Sequence, residues 1–129
     1  MAGIYIHVPF CKSKCAYCNF FSLASEKKVM DYVDALKREM IARKDYLHDE
    51  KVETIYFGGG TPSLLPIKCV EEILVILHKN FNISSSPEIT LEINPDTVEK
   101  NQLFQLKKLG VNRMSVGIQS FHDDDLKYL

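Results

Sequence analysis

Apolar and polar residues alternate along four short stretches of the chain and recur at helical spacing between them. In "GIYIHVPF" (3 to 10) Ile4 and Ile6 alternate with Tyr5 and His7, the period of two expected of a strand. The following "SEKKVMDYVDALKREMIARKDYL" (25 to 47) instead sets Val29, Val33, Leu36 and Met40 three or four residues apart, which predicts a helix with one apolar face. A second strand is expected at "VETIYFG" (52 to 58), then a helix from about Pro66, a good first-turn residue, through Phe81. "EITLEIN" (88 to 94) reads as a third strand, and the helix after it, from about Val98 to Leu109, is stopped by Gly110. "RMSVGIQS" (113 to 120) reads as a fourth strand, and "FHDDDLKYL" starts one more helix.

Four successive βα units predict an α/β fold with parallel strands joined by right-handed crossovers, either a doubly wound sheet or a partial βα barrel. A complete barrel has about eight such units, so residues 1–129 are expected to form a single N-terminal piece of one. The alternative is a half-barrel whose open sheet edges pair with a second copy, a route to self-association. Period-two alternation puts Tyr5, His7, Thr54, Tyr56, Thr90, Glu92, Asn94, Ser115, Gly117 and Gln119 on one polar face. Ile4, Ile6, Ile55, Phe57, Leu91, Ile93, Met114, Val116 and Ile118 fall on the other and are expected to pack under the helices.

With 46% hydrophobic and 26% charged residues, the composition suits one soluble globular core. Sixteen Lys and Arg against seventeen Asp and Glu leave no basic field that would draw the chain onto nucleic acid or an anionic membrane. The opening "MAGIYIHVPFC" lacks a basic leader, and its apolar run is too short for a signal peptide or membrane span, so a cytoplasmic protein is expected. In that reducing setting clustered thiols serve metal binding or redox chemistry more readily than disulfides.

Cys11, Cys15 and Cys18 form such a cluster, at C-x3-C-x2-C directly after the first strand. Three thiolates on a short loop can each take one iron of a cubane and leave the fourth iron open. Zinc is the competing reading, with His7 completing a Cys3His set, and three buried free cysteines explain the clustering least well. Cys69 shares a helix face with Ile73, Ile76 and Leu77 and reads as core. Taken alone, the glycine run in "FGGGTP" (57 to 62) could be a tight turn or a close backbone approach to a ligand. It lacks the Lys of a phosphate-binding loop. Glu92 could be a paired structural carboxylate, but it shares a face with the thiols.

"YIHVPFCKSKCAYCNF", "GGGTP", "LEINP" and "SVGIQSF" follow one another between Tyr5 and Phe121. Together they resemble the radical S-adenosylmethionine enzymes, within them the oxygen-independent coproporphyrinogen III oxidases and their haem-chaperone relatives. The resemblance implies that Cys11, Cys15 and Cys18 ligate a 4Fe-4S cluster whose fourth iron is chelated by the amine and carboxylate of S-adenosylmethionine. It further implies that Tyr17 lies against the adenine, that Gly59, Gly60 and Thr61 border the methionine end, and that Glu92 holds the ribose hydroxyls. Gln119 is implied as a second nucleoside contact, and Tyr5 is counted with the cofactor-binding set. The implied chemistry is reductive cleavage of the sulfonium to methionine and a 5′-deoxyadenosyl radical that abstracts a substrate hydrogen; no catalytic residue is assigned.

The oxidases carry a fourth cysteine two residues after the third, and an N-terminal extension before the Tyr-Ile-His segment. Here Phe20 occupies the cysteine position and the segment starts at Tyr5. Both features match the haem-chaperone branch, whose members bind haem. The expectation is therefore a cluster- and S-adenosylmethionine-binding protein of haem metabolism, with haem or another tetrapyrrole as its small-molecule partner. The alternatives are an oxidase that converts coproporphyrinogen propionates to vinyls, and a structural zinc domain. The family's C-terminal substrate domain has no counterpart in residues 1–129.

Overall fold

The structure, a computed structural model, describes residues 1–128. Its elements are β1 (Ala2–Val8), α1 (Val29–Ala42), β2 (Val52–Gly59), α2 (Ile67–Asn80), β3 (Ile83–Ile93), α3 (Lys100–Lys108), β4 (Arg113–Val116) and α4 (Asp123–Tyr128). Short 3-10 turns at Pro62–Leu64 and Pro95–Thr97 follow β2 and β3. The last predicted helix ends at Leu129, which lies outside the described residues.

All four strands are parallel and lie in the order β1-β2-β3-β4. A doubly wound sheet reverses its strand order partway, so that helices cover both faces. In a sequential order every right-handed crossover falls on the same side, so the helices share one face and the other is left for a barrel interior. The architecture is thus that of a partial βα barrel, the second of the two arrangements that the alternation allowed.

The apolar alternation becomes the buried layer. Ile6, Val8, Ile55, Phe57 and Leu91 are buried from the sheet, with Val33, Met40, Cys69, Ile73, Leu77 and Leu106 from the helices, in one contiguous core. Burying a side chain such as Phe57 is worth about 1.5–3 kcal/mol. Helix α3 ends as Gly110 foretells: Gly110 has φ +101°, its N–H donates to Lys107 O and the Val111 N–H to Leu106 O, both at 3.1 Å. This paired closure, with Leu106 and Val111 both buried beneath it, is a Schellman ending.

Three boundaries differ from the sequence reading. Helix α1 covers 14 residues within the predicted 25 to 47. Past Met40 the next positions on its apolar face are the charged Arg43 and Lys44, and the chain then turns through left-handed His48 and Asp49. Strand β3 begins at Ile83, earlier than expected, because Ile83 pairs with Val52 although Glu88 pairs with Thr54. The surplus residues bulge out around the serine run and Pro87, where the sequence carries no strand signal. Strand β4 stops at Val116, and here the burial expectation is corrected: Met114, Val116 and Ile118 are 38%, 47% and 56% exposed. Met114 and Val116 pair with Leu91 and Ile93 and so lie on the helix-bearing face, but β4 is an edge and no described helix covers its outer side.

Tyr32 on α1 links the helix to the site described below. Its hydroxyl donates to the His7 carbonyl at 2.6 Å, and its ring meets Phe10 edge-on. Burial first, then the charge of Glu39 and the nearby Tyr5, push its pKa up to about 12. Because the folded value lies above the ordinary 10, this residue's contribution to stability is full below about pH 10 and is lost as pH rises through 12. Tyr32→Phe should remove the highest-pH step from a tyrosinate absorbance titration at 295 nm.

Candidate cofactor site

At the C-terminal end of the sheet the chain zips a loop shut before opening it. After β1, Phe10 bridges to Leu23; the Cys11 N–H donates to Leu23 O at 3.0 Å and the Leu23 N–H to Pro9 O at 2.7 Å. The segment after β2 pairs along its other side, Gly60 N–H to Val8 O at 2.8 Å and Thr61 N–H to Phe10 O at 2.7 Å. The thirteen residues from 11 to 23 therefore leave a rigid base that satisfies its own backbone groups.

Within this loop Cys11, Cys15 and Cys18 are partly exposed free thiols, and all three border one cavity of about 330 Å³. The same cavity is bordered by Tyr17, Gly59, Gly60, Thr61, Glu92 and Gln119. Every implied cofactor contact except Tyr5 is thus brought to one place. Tyr5 is not among the cavity residues: it stacks on Tyr56 with ring centroids 5.9 Å apart and hydrogen-bonds to His7.

Two glycines are dictated by close approach. A Cβ on Gly60 would stand 2.6 Å from Phe10 O and 3.0 Å from Cys11 Sγ, so the residue lets β2 pass against the base of the cysteine loop. Gly59 has φ +112°, and a Cβ there would meet the His7 ring at 2.7 Å. The Gly59 N–H donates to Glu92 Oε2 at 3.1 Å, while the Tyr56 hydroxyl donates to Oε1 at 2.7 Å. A carboxylate has about four lone-pair positions, so Glu92 held by two donors keeps acceptor capacity toward the cavity. The Glu92 bond, followed by burial, raises the Tyr56 pKa; burial, followed by Cys15, raises that of Tyr17. Both phenols stay neutral donors at physiological pH.

Several contributors were not singled out from sequence. Tyr56 lies on the polar face opposite Thr90, and its long side chain reaches two residues along β3 to Glu92. Ser22, on the cavity wall, carries a buried hydroxyl without a hydrogen-bond partner, the only such side-chain atom among the described residues. Lys12 reaches across the cavity mouth to Asp96, with Nζ 3.0 Å from its carbonyl and 3.5 Å from Oδ2, an exposed pair of small energetic weight. No local sequence signal links positions 84 residues apart.

The geometry suits a cluster better than one ion. Among the described residues no three His, Cys, Asp or Glu side chains converge on a single metal position. His7, the fourth ligand of the zinc reading, has both ring nitrogens engaged: Nε2 lies 3.0 Å from Phe21 O and Nδ1 3.2 Å from the Tyr5 hydroxyl. Ligation through either nitrogen would displace the hydrogen bond that nitrogen makes. Three soft thiol donors spaced around a cavity, with an orphaned hydroxyl and a glycine-lined wall beside them, fit an iron–sulfur cluster with a small polar ligand.

No described helix is long and apolar enough to cross a membrane. The sequence pattern of the Radical SAM superfamily matches residues 5–129. Over 127 residues the chain is 41% identical to a protein named heme chaperone HemW from Synechocystis sp., covering 93% of this chain and 30% of that protein. Identity to an oxygen-independent coproporphyrinogen III oxidase of Salmonella typhimurium is 32% over 124 residues, 95% of this chain and 27% of the relative. Coproporphyrinogen III oxidase (HemN) from Escherichia coli, described as a radical SAM enzyme, matches in structure with a TM-score of 0.91 at 30% identity, covering 97% of this chain and 29% of that one. The chain spans about a third of the length of the curated relatives it matches. The superfamily implies S-adenosylmethionine and a 4Fe-4S cluster. With the pattern matching from Tyr5 onward and the structural match covering 97% of this chain, the chain belongs to the radical SAM superfamily.

Proposed function

We propose that Cys11, Cys15 and Cys18 hold a 4Fe-4S cluster in this cavity, that S-adenosylmethionine binds against it, and that the protein serves haem metabolism in the manner of the haem chaperones. The observation that carries the reading is the meeting of three thiols, the Gly59–Gly60–Thr61 segment, Glu92 and Gln119 around one cavity. When bound, the cluster and S-adenosylmethionine supply one-electron chemistry at a sulfonium. The chain's own residues position it. Glu92, held by Tyr56 and Gly59, would accept from ribose hydroxyls; Gly59, Gly60 and Thr61 would border the methionine end; Tyr17 would cover the adenine; and the loop base would exclude water from the sheet side.

The chaperone branch is favoured over the oxidase by Phe20, which borders the cavity where the oxidases carry a fourth cysteine, and by the higher identity to the chaperone-named relative. Haem or a related tetrapyrrole is the proposed small-molecule partner. The test is low-temperature EPR of anaerobically reconstituted, dithionite-reduced protein. A cubane signal that changes on adding S-adenosylmethionine supports the reading, and zinc in place of iron overturns it. Haem binding without 5′-deoxyadenosine formation identifies a chaperone, whereas 5′-deoxyadenosine formed only with coproporphyrinogen identifies an oxidase.

Glu92→Gln should weaken S-adenosylmethionine binding by roughly 10- to 100-fold in equilibrium dialysis, because a charge-assisted acceptor becomes a neutral amide. Iron content should be unchanged, since Glu92 is not among the thiol donors.

A further inference from the structure

We infer that His7 is a positioning residue that couples the exit of the cysteine loop to the wall that receives S-adenosylmethionine. The inference rests on the cofactor reading above but names a residue to which that reading gives no part. A carbonyl oxygen only accepts, so the His7 Nε2 3.0 Å from Phe21 O carries a proton and donates. Its Nδ1 shares a hydrogen bond with the Tyr5 hydroxyl at 3.2 Å. One ring thus joins two elements: Phe21, three residues beyond Cys18, and β1, where Tyr5 stacks on the Tyr56 that donates to Glu92.

The ring also bears on Gly59. A Cβ there would lie 2.7 Å from both Cε1 and Nδ1 of His7, so the imidazole edge closes directly on Gly59, whose N–H donates to Glu92 Oε2. Meanwhile the His7 carbonyl is fixed from α1 by the Tyr32 hydroxyl at 2.6 Å. A loose loop exit would let the ring swing, and Gly59 and Glu92 would lose the surface that holds their turn. Ordering of the loop and ordering of the Glu92 wall are therefore linked through His7, in addition to any direct contact between S-adenosylmethionine and the cluster.

Hydrogen exchange of the cluster-free chain and S-adenosylmethionine affinity of the reconstituted chain together test this. His7→Phe keeps the ring but neither polar contact, whereas His7→Gln can still place an N–H donor near Phe21 O. His7→Phe should speed exchange of the Leu23 and Gly60 amides, which close the loop base, by at least about tenfold and weaken S-adenosylmethionine by a similar factor. His7→Gln should recover most of both. Unchanged exchange and affinity in His7→Phe, or equal damage in the two variants, overturns the assignment. If the wild-type chain takes up no iron, the cofactor reading fails, and the exchange arm still decides whether His7 holds the loop.

Discussion

Cys15→Ser protein, reconstituted anaerobically, should retain less than about a quarter of the wild-type iron and lose the cubane EPR signal. A serine hydroxyl stays protonated at neutral pH and is a poor ligand for iron, and the loop offers no spare donor to replace it. Cys11 and Cys18 border the same cavity, and Cys69 is buried in the helix layer with its thiol pKa raised by burial, so it cannot stand in. Cys69→Ser is the matched control. It should keep its iron while losing about 1–3 kcal/mol of stability in urea, because it buries a hydroxyl among apolar side chains. Iron retained in Cys15→Ser and lost in Cys69→Ser would reverse the two roles.

Gly60→Ala should be nearly as damaging, through sterics. The added methyl would meet the Phe10 carbonyl at 2.6 Å, a backbone atom that accepts the Thr61 N–H and has no freedom to retreat without breaking that bond. It would also press on Cys11 Sγ at 3.0 Å. Relief requires the β2 extension to separate from the base of the cysteine loop, at a cost of about 1–3 kcal/mol. Iron uptake and S-adenosylmethionine binding should fall together, which distinguishes this variant from Glu92→Gln, where only the second falls. Normal binding of both in Gly60→Ala would show that the loop base is softer than its four backbone hydrogen bonds suggest.

Periodicity alone carried the fold a long way. Alternation in β1 to β3 and the helical stripes of α1 and α2 are local patterns, and each became a buried face because a sheet with all its helices on one side has one apolar surface to fill. The stop at Gly110 was equally legible, since a left-handed turn after a helix is a property of a single residue. The C-x3-C-x2-C spacing and the glycine run were local as well, and the residues of both border the cavity.

Tertiary structure decided what local pattern cannot hold. Alternation set Met114 and Val116 on the helix face correctly, but their exposure depends on whether a further layer covers β4, which no residue of β4 records. The choice of a sequential sheet over a doubly wound one depends on where each crossover lands, a relation between elements and not within one. The sequence placed Tyr5, His7, Tyr56 and Glu92 on one face of the strands. Only the parallel register, which brings β1, β2 and β3 side by side, turned them into a network running from the loop exit to the carboxylate, because hydrogen bonds extend about 3 Å and residues far apart in sequence must first be folded to that distance.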